Sequence, residues 1–190
     1  MAIQIKESIK DNMPDVQVLD EINRRVSSII SQAQAQDPEP FIFHCAQIAI
    51  EYDRDLVFSE LVAYYGIDVN DINANYYWDP DNQPTMPYVP MAVFNRAHKC
   101  FNRLIQEMDA DFNCVDHNGV SPLVHAVKWS NYEAFKMLMD QGADIDESHV
   151  FDAVITTHYS KSSNGAMENI YSGLRNRGYD IDSAINVRSL

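Results

Sequence analysis

A helix-stopping string recurs four times along this chain, and that recurrence limits the possible folds more than any other feature. Gly142-Ala143-Asp144-Ile145-Asp146 has relatives at Gly66-Ile67-Asp68-Val69-Asn70, Asp109-Ala110-Asp111-Phe112-Asn113 and Gly178-Tyr179-Asp180-Ile181-Asp182. The steps between copies are 43, 33 and 36 residues. A feature returning at roughly 33 residues marks a repeat architecture. Each copy has a simple physical reading. Glycine just past a helix accepts the left-handed backbone that ends it. The Asp or Asn that follows favours a turn through side-chain to backbone hydrogen bonds. The apolar residue between the two polar ones can turn inward as an anchor.

Between the strings the apolar residues fall at helical spacing, two helices to a string. The expected pairs are Phe41–Tyr52 with Leu56–Tyr65, Met91–Ala97 with Lys99–Met108, Pro122–Trp129 with Tyr132–Gln141, and Val150–His158 with Gly165–Arg177. Ahead of them Leu19, Ile22, Val26, Ile29 and Ile30 mark an amphipathic helix opened by Pro14. The fold class expected is all-α. It is a short solenoid of about four helix pairs over 39–190, behind an N-terminal helical cap in 1–38. The 43-residue step is explained by a long insertion at 71–90, rich in proline and aromatic residues.

Residues 116–146, "DHNGVSPLVHAVKWSNYEAFKMLMDQGADID", identify the family that this pattern resembles: the ankyrin repeat. Asp116 and Gly119 make the turn, Ser121 takes the place of the usual threonine as helix N-cap, and Pro122 occupies the first helical position. Leu123 and Ala126 face inward, Met137-Leu138-Met139 stand for the leucine run, and the string at 142–146 closes. The cap is independently sound, because a hydroxyl accepts an orphan backbone N–H and the proline after it has none to lose. Val124 stands where the family has a histidine, so that residue's bond to the turn is expected to be missing. The preceding repeat keeps the pattern in its second half, with His98 in place, and Asp109 displaces its closing glycine. The resemblance spans roughly 40–182.

Composition bounds the rest. The chain has 190 residues, 46% hydrophobic and 22% charged, which are globular values. Three cysteines, Cys45, Cys100 and Cys114, form no C-x-x-C pair, and they fit a reducing compartment better than a disulfide scaffold. No signal core and no long apolar run is present, so a cytoplasmic protein is expected, or one delivered into a host cell without a classical signal. Net charge is −14, and residues 37–90 carry ten acids against one base, Arg54. That field disfavours direct contact with nucleic acid or anionic membrane and attracts basic partners.

A search for chemistry returns little. The six glycines form no phosphate-binding loop, and no H-E-x-x-H or G-x-S-x-G motif occurs. His44-Cys45, His98 with Cys100, and Cys114-x-x-His117 are isolated pairs without a second pair at zinc spacing. Asp53/Asp55 and Asp79/Asp81 lie in polar connections, where solvation is the simpler account. No catalytic residue, metal ligand or cofactor is assigned.

Contact surface is a different matter. The insertion carries Tyr76, Tyr77, Trp78 and Tyr88 among four prolines, and rings on a stiffened loop make good binding anchors. The competing account folds those rings back over a degenerate repeat. The ankyrin resemblance implies a recognition surface at the turn tip, here His117, Asn118 and Val120, and at the first helix's end, Lys128 and Trp129. Trp129 could instead pack on the next repeat. The expected function is a non-catalytic module that binds a protein partner, a basic one where the acidic half steers it. The alternative is an acidic inhibitor, immunity or effector protein that blocks a basic, nucleic-acid-binding or catalytic surface. A third reading is a cryptic hydrolase. Oligomeric state is open.

Overall fold

The computed structural model of the chain describes residues 13–31, 38–71, 86–159 and 165–187, together with Lys6, Glu7 and Ile9. Among these residues there are helices and turns and no strand. Two compact units divide the chain, Met1–Asp111 and Phe112–Leu190.

The first unit contains α1 (Asp15–Ser31), α2 (Glu39–Glu51), α3 (Asp55–Tyr65), α4 (Tyr88–Phe94) and α5 (His98–Gln106). Helices α2 and α3 form one pair and α4 and α5 the next. Across the pairs α2 packs on α4 and α3 on α5, while α1 lies against α3 and α2. The second unit contains α6 (Pro122–Lys128), α7 (Tyr132–Gln141), α8 (Glu147–Tyr159), α9 (Gly165–Arg175) and α10 (Ile181–Val187). It follows the same plan, with α6 on α7, α6 on α8, α7 on α9, and α10 against α8 and α9. First helices stack on first helices and second on second, so each pair buries the apolar face its neighbour leaves open.

Two kinds of left-handed turn produce this plan. Within a pair the reversal takes three residues, and its middle residue has φ 52° at Asp53, 56° at Arg96 and 50° at Ser130. The bonds repeat too. Arg54 N–H donates to Ala49 O at 2.8 Å, Ala97 to Ala92 at 2.9 Å and Asn131 to Ala126 at 2.8 Å, which satisfies carbonyls that a helix end leaves open. Between pairs the recurring strings act as expected: Gly66, Asp109, Gly142 and Gly178 take φ of 66°, 51°, 82° and 90°. Asp109 shows that an aspartate can hold the glycine's place, since its short polar side chain tolerates this region.

Within each unit side chains then tie successive repeats together. Asp53 Oδ1 accepts the N–H groups of Lys99 at 2.9 Å and Cys100 at 3.0 Å. It thereby caps α5, whose own N-cap, Ala97, has no oxygen to offer. Asn70 Oδ1 accepts the Asp111 N–H at 2.7 Å while its Nδ2 donates to Asp109 O at 3.3 Å. In the second unit Asn113 Oδ1 accepts the Asp144 N–H at 2.9 Å. The last residue of one string thus holds the backbone of the following string. Asp146 departs from this and instead accepts the His149 N–H at 3.2 Å in the opening turn of α8.

Several expectations need correction. In α1 the buried stripe is Val18, Ile22 and Val26, a strict four-residue spacing, while Ile30 is exposed. Helix α4 starts three residues earlier than the sequence suggests. Pro90 sits in its first turn, where backbone N–H groups have no helical partner and its missing donor costs nothing. Tyr88, read as an insertion residue, is therefore in the helix, fully buried, with its ring edge-on to Phe58 at 5.5 Å. Ile181 and Asp182, read as the end of the last string, instead open a further helix, α10. Tyr76, Tyr77 and Trp78 lie outside the described residues.

Two stability predictions follow from this packing. Asp53→Ala removes the cap of α5 and should cost about 1 kcal/mol in urea unfolding, whereas Asp53→Asn keeps the acceptor and should stay near wild type. Gly173 lies inside α9, where alanine would ordinarily be preferred, yet an added Cβ would stand 2.8 Å from Phe135 Cε1. Gly173→Ala should therefore lower stability by roughly 1–2 kcal/mol despite its helix propensity. Adding Phe135→Leu to that variant should recover part of the loss.

Candidate interaction surface

The best-formed surface feature begins at Asp116. Its Oδ1 accepts the N–H groups of Asn118 at 2.8 Å and Val120 at 2.9 Å. Its own N–H donates to Val120 O at 3.0 Å, and Gly119, at φ 74°, donates to Asp116 O at 2.9 Å. One aspartate organises the entire tip. Its remaining oxygen, Oδ2, lies 3.0 Å from His125 Nε2. Both side chains are inside, with 2% of Asp116 and 8% of His125 exposed.

That contact revises the expectation drawn from Val124. Val124 is buried, and its N–H meets the Ser121 hydroxyl at 3.4 Å, so the N-cap is in place. A histidine does anchor the turn, but it comes one residue later and bonds the aspartate carboxylate. Because an ionised carboxylate only accepts, Nε2 carries the ring proton, and the buried Nδ1 has no partner. Burial pushes the His125 pKa below the usual histidine value, and the Lys128 charge acts in the same sense; the Asp116 carboxylate opposes both. Burial alone would raise the Asp116 carboxyl, but the Val120 N–H, the His125 ring and the Asn118 N–H together hold it below the usual range.

The tip leads into α6, whose far end bears the remaining candidates. Lys128 and Trp129 are three and four residues beyond His125, on the same side of the helix. The Asp116–His125 contact thus brings the tip within one helical turn of them. Lys128 is exposed and Trp129 is 49% exposed. Trp129 caps the C-terminus of α6, and its backbone is fixed on both sides. Its N–H donates to His125 O at 3.0 Å and Ser130 N–H donates to Val127 O at 3.0 Å. Asn131 then caps α7 by accepting the Ala134 N–H at 3.3 Å. At the tip His117 and Asn118 are exposed and 2.7 Å apart through their side chains, and Val120 is half-buried. The sequence reading overlooked Phe94. It is 45% exposed and ends α4 two residues before left-handed Arg96. An aromatic residue at the close of a first helix was the signal that could have found it.

Reactive chemistry is poorly provided. Cys45 and Cys100 are fully buried, and burial pushes both thiols up, which keeps them protonated. Among the described residues no three His, Cys, Asp or Glu side chains converge, and no helix is long and apolar enough to cross a membrane. Much of the acid excess at 37–90 has structural work. Glu51 pairs with Lys6 at 3.1 Å, Asp55 with Arg103 at 2.8 Å, Asp53 caps α5, and Asp68 accepts the Asn70 N–H at 2.9 Å. Arg54, the lone base of that stretch, is spent on the Asp15 carboxylate and the carbonyls of Ile9 and Met13.

The buried pair sets a pH dependence. His125 has a depressed pKa in the folded state, so the unfolded chain takes up its proton first. The stabilisation is present above pH 6.5, the ordinary histidine value, and is lost as pH falls below it. The depressed Asp116 adds a further loss only below 3.8. Chemical denaturation between pH 7.5 and 5 should show a steeper decline in stability for the wild type than for His125→Gln, which has no proton to gain; equal slopes would contradict the assignment.

A family model described as ankyrin repeats (3 copies) matches residues 47–149, more than half of the chain. No curated protein and no solved structure matches. With the paired helices, the aspartate-centred tip and the closing strings in the same places, the chain belongs to the ankyrin-repeat family.

Proposed function

We propose that the chain is a non-catalytic protein-binding module, with residues 39–190 as one repeat array along the sequence and α1 as its amino-terminal cap. Ankyrin repeats suggest protein–protein interaction. The observation that carries the reading is Trp129, a large aromatic left 49% exposed on a turn whose N–H groups at 129, 130 and 131 all donate to carbonyls of α6. An ordered aromatic loses little entropy on binding, and tryptophan is over-represented among residues that dominate interface energy. His117, Asn118, Val120 and Lys128 complete the surface, and the insertion aromatics Tyr76, Tyr77 and Trp78, which lie outside the described residues, are further candidate contacts.

Occlusion of a basic surface by an acidic inhibitor or effector has less support. Its motive was the acid excess at 37–90, and Glu51, Asp53, Asp55 and Asp68 have partners within the fold. Among the described residues no arrangement of nucleophile and base favours a hydrolase.

Affinity purification on the full chain, followed by mass spectrometry, supplies partners against which variants can be measured. Trp129→Ala should weaken the specific complex by about tenfold or more with an unchanged helical CD spectrum. Wild-type affinity in that variant and in Trp78→Ala/Trp129→Ala together would remove the proposal.

A further inference from the structure

The segment that carries Trp129, residues 117–132, has a charge opposite in sign to that of the whole chain. Net charge is −14, yet residues 117–132 contain no Asp or Glu and carry Lys128. The acid that opens this segment, Asp116, is turned inward with its oxygens occupied by two backbone N–H groups and the His125 ring. Glu133, the next acid along the chain, belongs to α7, the second helix of the pair. On α8, which packs against α6, the exposed acids are Glu147 and Asp152, and Asp146 just ahead of the helix is engaged by His149 at 2.9 Å. Its closing turn, related by the repeat to the turn of Lys128 and Trp129, carries Thr156, Thr157 and His158 and no acid.

The first unit has the same pattern independently. Residues 88–106 contain no Asp or Glu and include Arg96 and Lys99, and the exposed Phe94 ends α4. In both units an exposed ring and a cationic residue occur together at the close of a first helix, Phe94 with Arg96 and Trp129 with Lys128. A basic segment brought to this place would meet Lys128 as a like charge. An acidic segment would find three ammonium donors that can bond only to acceptors, beside the apolar face of an indole.

We propose that the repeat at 116–146 docks an acidic segment of its protein partner, with carboxylates on Lys128 and apolar side chains against Trp129, so that the local charge and not the net charge selects the ligand. This rests on the protein-binding reading above and adds to it the chemistry of what is bound. The chain's overall negative field then acts as a filter. It slows the approach of a strongly acidic protein, and a carboxylate-bearing segment has to be presented locally beside apolar residues.

The test uses the full ¹⁵N-labelled chain and two short synthetic peptides alike except in charge, one with glutamates around a leucine-phenylalanine core and one with lysines in their place. The glutamate peptide should shift the backbone amides of 117–120 and 128–130, with affinity falling about tenfold between roughly 50 and 300 mM salt. Lys128→Glu should abolish those shifts for the glutamate peptide and allow them for the lysine peptide. If the lysine peptide alone moves these amides in the wild-type chain, the acidic chemistry is wrong and the docking face stands. If neither peptide moves them, both the acidic chemistry and the face itself are overturned.

Discussion

Everything in this molecule depends on reversing the chain after each short helix without leaving backbone groups unpaired. Helices of seven to thirteen residues, α2 to α9, are marginal alone and persist through packing. Their reversals must therefore be tight and reproducible. The chain does this with left-handed residues at both ends of each of the first three pairs, glycine or aspartate after the second helix and Asp53, Arg96 or Ser130 after the first. Leaving Arg96 or Ser130 in that region costs conformational energy that glycine would avoid. The side chain retained at Ser130 is buried, with its hydroxyl 3.7 Å from Met167 Sδ on α9. Asp53 goes further, because its carboxylate supplies the missing cap of the neighbouring helix.

The second requirement is that a repeat hold its neighbour as well as itself. Apolar stacking supplies the energy but leaves registration loose, since it has no direction. The asparagines do what packing cannot. Asn70 and Asn113 each accept a backbone N–H from the following string, so one slipped residue would cost a hydrogen bond. Directional bonds at the strings and close contacts such as Gly173 on Phe135 fix the order in which helices stack.

These two features also explain how the tip at 116–120 is held. A single buried carboxylate gathers three of the bonds that shape it, and a buried neutral histidine ties that carboxylate to α6. Exposed residues mounted on such a frame are presented with little freedom left to lose. The frame also hides the charge that would otherwise dominate the surface. In the first unit the acids that set the sequence's charge are likewise drawn into caps and ion pairs. Net charge is therefore a poor guide to which acids are engaged within the fold.

The sequence alone determined the class of fold. Recurring strings, helical spacing and the ungapped 116–146 stretch identified helix pairs, the Ser121 cap and the family, because glycine, proline and serine act through local backbone geometry that a sequence displays directly. It also marked Trp129 as a surface residue. Partnership between distant residues was not legible. That Asp53 caps α5, that His125 replaces the histidine absent at 124, and that Tyr88 is core depend on groups brought together by stacking. Composition and spacing cannot distinguish a solvated acid from one that accepts two N–H groups 46 and 47 residues away. Local chemistry fixed where the chain turns; only the packing of one helix pair on the next decided which polar groups were consumed inside and which were left exposed.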